Sequence, residues 1–136
     1  MTATIADVRA GLKTRLATIS GLHASATMPA KPAPPAAAPK LLRWRYHPSF
    51  EGGVVYTFLV WIYVDRQADL NRAQTALDAY LSPTGANSVI AAIEADQRLA
   101  GVVDSTTVSG GDDYGQVEVG GAQLLAGAVE VEVLTS

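Results

Sequence analysis

The chain contains no cysteine and only two histidines among its 136 residues. Without cysteine, disulfide bonds, thiolate metal sites and cysteine nucleophiles are excluded. His23 begins a proline-rich stretch and His47 precedes Pro48, and neither has a carboxylate at a metal-ligand spacing. A catalytic histidine needs a neighbouring group that orients it, and the sequence pattern offers none. We therefore interpret both histidines as solvated turn residues.

A basic excess and long apolar segments are also missing. The formal net charge is −3, whereas a dedicated nucleic-acid binder shows a clustered basic patch. Arg43 and Arg45, which flank Trp44, are too few to form one. The longest apolar run, Val54–Val64, has 11 residues, and a membrane-spanning helix needs about 20. With no secretion signal in the first residues, we expect a soluble protein made in the cytoplasm, without membrane association.

Phosphate-binding motifs are absent as well, since the chain has no Walker loop and no dinucleotide fingerprint. Gly110–Tyr114 is superficially similar to the GGDEF signature of cyclic-dinucleotide synthases. The chain is short for that fold and lacks its upstream phosphate loop. A turn between strands explains the segment fully, because glycine and aspartate tolerate positive φ. The sequence thus predicts neither enzymatic activity nor a cofactor or metal site.

Three helices are predicted from apolar spacing. The first runs from Ile5, with Thr4 as N-cap, to a stop at Gly21. The second covers Asp65–Leu81, and Asn87 caps a short third helix. The buried stripe of the second helix consists of Leu70, Ala73, Leu77 and Tyr80.

Strand patterns occupy the rest of the chain. Val54–Val64 is apolar on both faces, which predicts a central strand covered on both sides. The other predicted strands are Leu41–Tyr46, a strand holding Val102, Val103 and Val108, Val117–Val119 and Val129–Val133. Between them the sequence predicts a turn over Pro48–Gly53, a loop over Ser109–Gly115 and a bend at Gly120–Gly121. This order predicts a single α+β domain over residues 1–136. It should contain one mixed or antiparallel sheet of about four to five strands packed against two or three helices.

Residues 22–40 differ in composition from their surroundings, because they hold five of the seven prolines. Proline cannot donate the backbone hydrogen bonds of a helix or a central strand. The segment is therefore either an extended, polyproline-rich arm or a short disordered linker, and the sequence leaves both open.

Four segments between residues 30 and 133 resemble, in order, the tail terminator proteins of long-tailed phages, especially those of actinobacterial hosts. They are Pro34–Ala37 (PPAA), Tyr46–Phe50 (YHPSF) with Gly52–Gly53, Leu77–Gly85 (LDAYLSPTG) with Ser88–Glu94, and Gly101–Asp104 with the glycine-rich turn through Gly115. Lys31 and the alanine run depart from the family pattern within the arm, where these proteins vary.

The resemblance implies a small α+β subunit of a homo-oligomeric ring, commonly hexameric. Such a ring caps the head-proximal end of the tail tube, stops polymerisation of the major tail tube protein and contacts the head–tail connector proteins. DNA passes through it without specific binding, and neither catalysis nor a cofactor is implied. The expected location is the tail or neck of the virion.

Particular residues are predicted to serve this role. Trp61 and Tyr63, together with Pro34 and Pro35 of the arm, are candidate subunit-interface residues, because aromatic anchors dominate interface energies. Glu118, Glu130 and Glu132 lie on strands that alternate in polarity, so they form either a solvated sheet face or an acidic wall lining the channel.

Two alternatives remain at this stage. A connector or head-completion protein of the phage neck has a similar size and α+β content. A monomeric module whose proline-rich arm binds an SH3-like domain belongs to a different class.

Overall fold

The structure, a computed structural model, describes residues 3–28, 30, 33–49, 52–65 and 70–135. These residues form three helices and five strands. In chain order the elements are α1 (Ile5–Leu16), β1 (His23–Ala24), β2 (Ala36–Ser49), β3 (Gly52–Asp65), α2 (Leu70–Leu81), α3 (Val89–Glu94), β4 (Ser105–Val119) and β5 (Ala122–Thr135).

The five strands form one sheet in the order β1-β2-β3-β5-β4. β2 with β3 and β4 with β5 are long antiparallel hairpins, and β3 pairs antiparallel with β5 from Val54–Thr135 to Asp65–Leu124. β1 adds a short parallel pair to the start of β2. The predicted fold class, α+β with one sheet and two or three helices, is confirmed, and so is the central position of β3.

The helices pack on one side of the sheet, called here the helix face. Alternate β3 side chains such as Phe58 and Val60 join a core with helical residues such as Leu12, Leu77 and Ile93. The Arg9 guanidinium of α1 lies 5.7 Å from the centre of the Phe58 ring. The opposite side, called the open face, has a second apolar cluster that contains only strand residues.

The N-terminus of α1 forms as the sequence predicts. The Thr4 hydroxyl accepts a hydrogen bond from the Asp7 amide, and the Asp7 carboxylate accepts one from the Thr4 amide, both at 3.1 Å. This capping box satisfies two amides that a helix end leaves unpaired. The helix buries Val8, Leu12 and Leu16 against the sheet.

The boundaries of the next two helices differ from the prediction. Asp65 belongs to β3, where it pairs with Leu124, and residues 66–69 of the predicted helix lie outside the described residues. The N-cap of α3 is Ser88 rather than Asn87. The Ser88 hydroxyl accepts from the Ala91 amide and donates to the Ser82 carbonyl, so it caps α3 and ties it to the end of α2.

Strand boundaries near the prolines and glycines also differ. Val102 and Val103 are not in a strand, because Leu99, Ala100 and Gly101 all have positive φ and the chain turns there. β2 begins at Ala36, five residues before the predicted start at Leu41, and it includes Pro39. Proline is accommodated because β2 lies at an edge of the sheet beyond its short contact with β1.

Candidate subunit interface

Trp61 and Tyr63 lie on the open face of β3. Tyr63 is only 5% exposed, and it stacks on the half-buried Trp61 with ring centroids 6.2 Å apart. Burial raises the pKa of the Tyr63 phenol. The pair contacts Leu124 and Ala126 of β5 and the end of β4. Tyr63 therefore has little surface left for a neighbouring subunit, whereas Trp61 keeps part of its ring accessible.

Within this chain, helices cover only one face of β3, and cover of the open face by a neighbouring subunit stays a prediction. Side chains of neighbouring strands contact each other across one face of a sheet, so they can shelter each other without a packed helix. On the open face, Val117 and Val119 of β4 and Leu124 of β5 cover the aromatic pair in this way. Continuous apolarity along β3 reflects a core on one face and lateral shelter on the other.

Pro34 and Pro35 pack on their own chain. Both are half-buried and line a small cleft with Val64 and Tyr80. The Pro35 carbonyl accepts a hydrogen bond of 2.8 Å from the His23 amide, which joins the arm to β1. The last five residues of the predicted arm, 36–40, belong to β2 and His23–Ala24 forms β1, while residues 29, 31 and 32 lie outside the described residues.

The three candidate lumen carboxylates do not share one face. Glu130 and Glu132 point to the open face, where they pair with Leu59 and Thr57 of β3. Glu118 has the opposite orientation, because its two neighbours in β4 belong to the open-face cluster and strand side chains alternate.

Glu130 is moreover bound to its own chain. Its carboxylate accepts hydrogen bonds from the Arg43 guanidinium at 2.8 Å and from the Ser109 hydroxyl at 3.1 Å. The Arg43 side chain is more than half exposed, so this ion pair contributes little to stability. The prediction of one acidic wall formed by all three residues is therefore wrong, and the lumen position of Glu130 and Glu132 stays a prediction.

Beyond β1, the outer side of β2 is an open edge of the sheet, and no described strand pairs with it from Lys40 onward. Trp44 and Tyr46 lie on this edge. They pair with Tyr56 and Val54, which places them on the helix face. Their side chains are 53% and 63% exposed. Together these two residues form what we call the aromatic edge.

The opposite edge of the sheet, β4, carries a cleft of about 480 Å³ on the helix face. The cleft lies between β4 and the ends of α2 and α3. Apolar side chains and glycine backbone dominate its lining, which includes Leu81, Ile90, Val108, Val129 and Gly111. Tyr114 and Asp113 also line the cleft. We refer to this feature as the β4 cleft.

The glycines of the β4 cleft are part of a strand, which corrects the predicted loop over Ser109–Gly115. β4 runs through the whole segment, with register shifts between Val108 and Gly110 and between Asp112 and Gly115. A Cβ atom on Gly111 would lie 2.8 Å from the Ala128 carbonyl oxygen. Glycine is thus needed here for close approach of two strands and not for a turn.

Tyr114 ties this edge to α2. Its hydroxyl donates a hydrogen bond of 2.9 Å to the Asp78 carboxylate. Burial, and then the hydrogen bond and the negative charge of Asp78, raise the pKa of the Tyr114 phenol above its ordinary value.

We therefore expect the contribution of Tyr114 to stability to disappear in alkali. Because the pKa of the phenol is higher in the folded chain than in the unfolded chain, this contribution is complete below the ordinary tyrosine pKa and is lost as the pH rises through the folded value. Tyr114→Phe should lower the free energy of unfolding by about 1 kcal/mol or less at neutral pH. Denaturant unfolding of both proteins across pH should show this difference shrinking above the ordinary tyrosine pKa. A difference that stays constant in alkali would contradict the assignment.

Basic and acidic residues are separated along the chain, and the strand order places them at opposite edges of the sheet. Residues 1–45 hold seven of the ten Lys and Arg residues and one acid, whereas residues 99–136 hold six acids and no Lys or Arg. The first segment forms α1, β1 and β2, and the second forms β4 and β5. In the sheet order, β2 lies on one side of the central strands and β4 on the other. One edge is therefore basic and the other acidic.

The sequence reasoning missed Trp44, Tyr46 and Tyr114 as interface candidates. Two signals could have found them: this segregation of charge, and the alternation of exposed aromatic residues with arginines over residues 43–46.

Within the described part of the chain, no three His, Asp or Glu side chains come together as a metal site. His23 Nδ1 lies 2.9 Å from the Ala33 carbonyl oxygen. None of the helices in the described ranges is both long and apolar enough to cross a bilayer. No protein-family model and no curated protein matches the chain.

Proposed function

We propose that this protein is a structural subunit of a phage virion that acts as a ring-forming tail terminator. The ring caps the head-proximal end of the tail tube, stops polymerisation of the major tail tube protein and joins the tail to the connector proteins of the head. It works by assembly, without catalysis or a cofactor. The phage setting rests on the sequence resemblance, and the ring rests on the edges of the sheet.

The observation that carries the proposal is that one subunit presents two unlike open edges. The β2 edge is basic and bears exposed aromatic residues, whereas the β4 edge is acidic and bears an apolar cleft. Two copies related by a twofold axis would place like edges together, and like charges repel. A head-to-tail contact joins unlike edges, and repeated head-to-tail contacts generate a ring when the rotation closes.

In such a ring, the open face of the sheet is the candidate channel wall. Glu130 and Glu132 lie on that face. Duplex DNA carries a phosphate charge about every 1.7 Å of its axis, so a wall with little net positive charge avoids holding the DNA as it passes. The Arg43–Glu130 pair on this face is neutral overall, and the carboxylate of Glu132 offsets part of the charge of Lys40 and Arg45, which the register places on the same face.

The binding-module alternative has less support. An SH3-like domain needs an exposed proline-rich segment in the polyproline conformation. Pro39 and the alanines before it are instead buried in β2.

Depletion of this chain during particle assembly tests the proposal. Cells that produce particles without it should accumulate tails longer than normal that lack heads, because nothing stops the tube. Expression of the wild-type chain in trans should restore tail length. Electron microscopy of complete particles should place the subunit between the tube and the head connector.

Other results would redirect the assignment. Tails of normal length that fail only to join heads would favour the neck-connector alternative. Complete, infective particles assembled without the chain would contradict a structural role in the virion.

A further inference from the structure

We propose that adjacent subunits join by inserting Trp44 of one copy into the β4 cleft of the next, so that their sheets meet edge to edge. The inference rests on the proposed ring and names the surfaces that form it. The occupant of the cleft is a second copy of this chain.

The two surfaces lie on the same side of the sheet. Trp44 pairs with Tyr56, a core residue of the helix face. The β4 cleft is lined by Leu81 of α2 and by Ile90 of α3, so it also opens on the helix face. A rotation that places one sheet beside the next with the same face directed the same way therefore brings the indole and the cleft together.

Strand direction suits this contact. β2, β3, β5 and β4 are each antiparallel to the next strand in the sheet, so β2 and β4 run in opposite directions. Two copies in the same orientation thus bring β2 and β4 together as antiparallel neighbours, the commoner arrangement in protein sheets.

Trp44 and the β4 cleft also lie at nearby positions along the strand direction. Through Tyr56 and Val133, Trp44 lies in the same side-chain row as Thr106 of β4. The next row on that face reaches Val108, where the β4 cleft begins. The offset is two residues, about 7 Å. Adjacent strands of closed sheets are commonly staggered in this way.

Charge favours this head-to-tail contact over twofold contacts that join two β2 edges or two β4 edges. Lys40 on the β2 edge is exposed and makes no ion pair with a described residue, while β4 carries acidic residues and no Lys or Arg. A contact between two β2 edges would oppose arginines, and a contact between two β4 edges would oppose carboxylates. Only the head-to-tail contact brings opposite charges together.

Cysteine cross-linking tests the joint cleanly, because the chain has no cysteine of its own. Arg45→Cys and Thr107→Cys place thiols on the two edges, at exposed positions outside the cleft lining. The concentrated, purified double variant is treated with a short bismaleimide and resolved on a denaturing gel. We expect a ladder from dimers upward. Each single-cysteine variant should give no product, and a mixture of the two should stop at dimers.

Matched substitutions in the double-cysteine chain test whether Trp44 fills the β4 cleft of the next subunit. Trp44→Ser should lower the yield of cross-linked product roughly tenfold or more, as loss of an aromatic anchor does. Leu134→Ser is the control, because Leu134 is a similarly exposed apolar residue that lies on the inner strand β5 and outside the cleft lining. This control should keep the ladder.

The cleft has a comparable pair of variants. Ile90→Lys puts an ammonium group where the indole should sit, while the aliphatic part of lysine keeps some cover on the core. Ile5→Lys is the control, since Ile5 is also a half-buried helical isoleucine packed on the core but lies outside the cleft. Ile90→Lys should abolish the ladder and Ile5→Lys should retain it. Circular dichroism of all four variants verifies that each is folded.

Three results would overturn the proposed contact between subunits: dimers from a single-cysteine chain, no product from the double variant, or equal yields from Trp44→Ser and Leu134→Ser. These outcomes are separate from the test of function. A ring located at the tail end with the wrong cross-links rejects the joint alone. The expected ladder from a chain absent from the tail end rejects the terminator role alone.

Discussion

Phe58→Ala is expected to lower the free energy of unfolding by about 3–5 kcal/mol, because it empties the centre of the core. Phe58 has no exposed surface and is the largest fully buried side chain of the described residues. Its ring meets Tyr56 edge to face at 6.5 Å and carries the Arg9 guanidinium on one side. Both contacts are lost together with the buried area. Chemical denaturation followed by circular dichroism measures the change.

Phe58→Leu is the control for this substitution. Leucine fills most of the same volume, so the loss should be at most about 1.5 kcal/mol. Similar losses for the two variants would mean that the core can collapse around the missing ring, which contradicts a close-packed helix face.

Gly111→Ala is expected to destabilise the β4–β5 hairpin by about 1–3 kcal/mol. The added Cβ would lie 2.8 Å from the Ala128 carbonyl oxygen, a backbone atom that cannot rotate away. The two strands must therefore separate locally, although the φ of Gly111 is not in the left-handed region. Thermal or denaturant unfolding of the purified variant provides the measurement.

The neighbouring glycine provides a matched control. A Cβ on Gly110 would meet no atom within 4 Å. Gly110→Ala should thus change stability by no more than about 0.5–1 kcal/mol, and in the stabilising direction if alanine restricts the unfolded chain. If both variants behaved alike, the explanation of Gly111 by close strand approach would be wrong.

This pair of variants also addresses the meaning of the Gly110–Tyr114 segment. Glycines followed by aspartates can indicate a nucleotide site, and they can indicate a turn. In the structure they allow a long edge strand to bulge twice while staying paired with β5. A loss of stability confined to Gly111 would show that the glycine has a packing role.

Much of the fold could be predicted because its signals are local. The spacing of Val8, Leu12 and Leu16 specifies an amphipathic helix, and Thr4 with Asp7 specifies its first turn. Continuous apolarity from Val54 to Val64 specifies a central strand. These patterns depend only on residues within about four positions of one another, which is why they can be read from the chain.

The candidate site could be predicted only in part. Trp61 and Tyr63 attract attention as aromatic residues in an apolar strand, yet Tyr63 is buried by β4 and β5, which lie some sixty residues away. Trp44 looks like an ordinary strand residue in the sequence. It becomes a candidate anchor because no described strand covers the outer side of β2 at that position.

Three properties were determined by the sequence itself: the helical and central strand segments, the absence of thiol chemistry, and the separation of basic from acidic residues along the chain. The tertiary structure decided where those charges lie. Because β5 inserts between β3 and β4, the basic N-terminal part and the acidic β4 occupy opposite edges. It also decided that Pro39 and Gly111 are strand residues, since one lies at an edge that needs no amide donor and the other lies against a carbonyl. Strand pairing joins residues far apart in sequence, so neither result follows from local pattern alone.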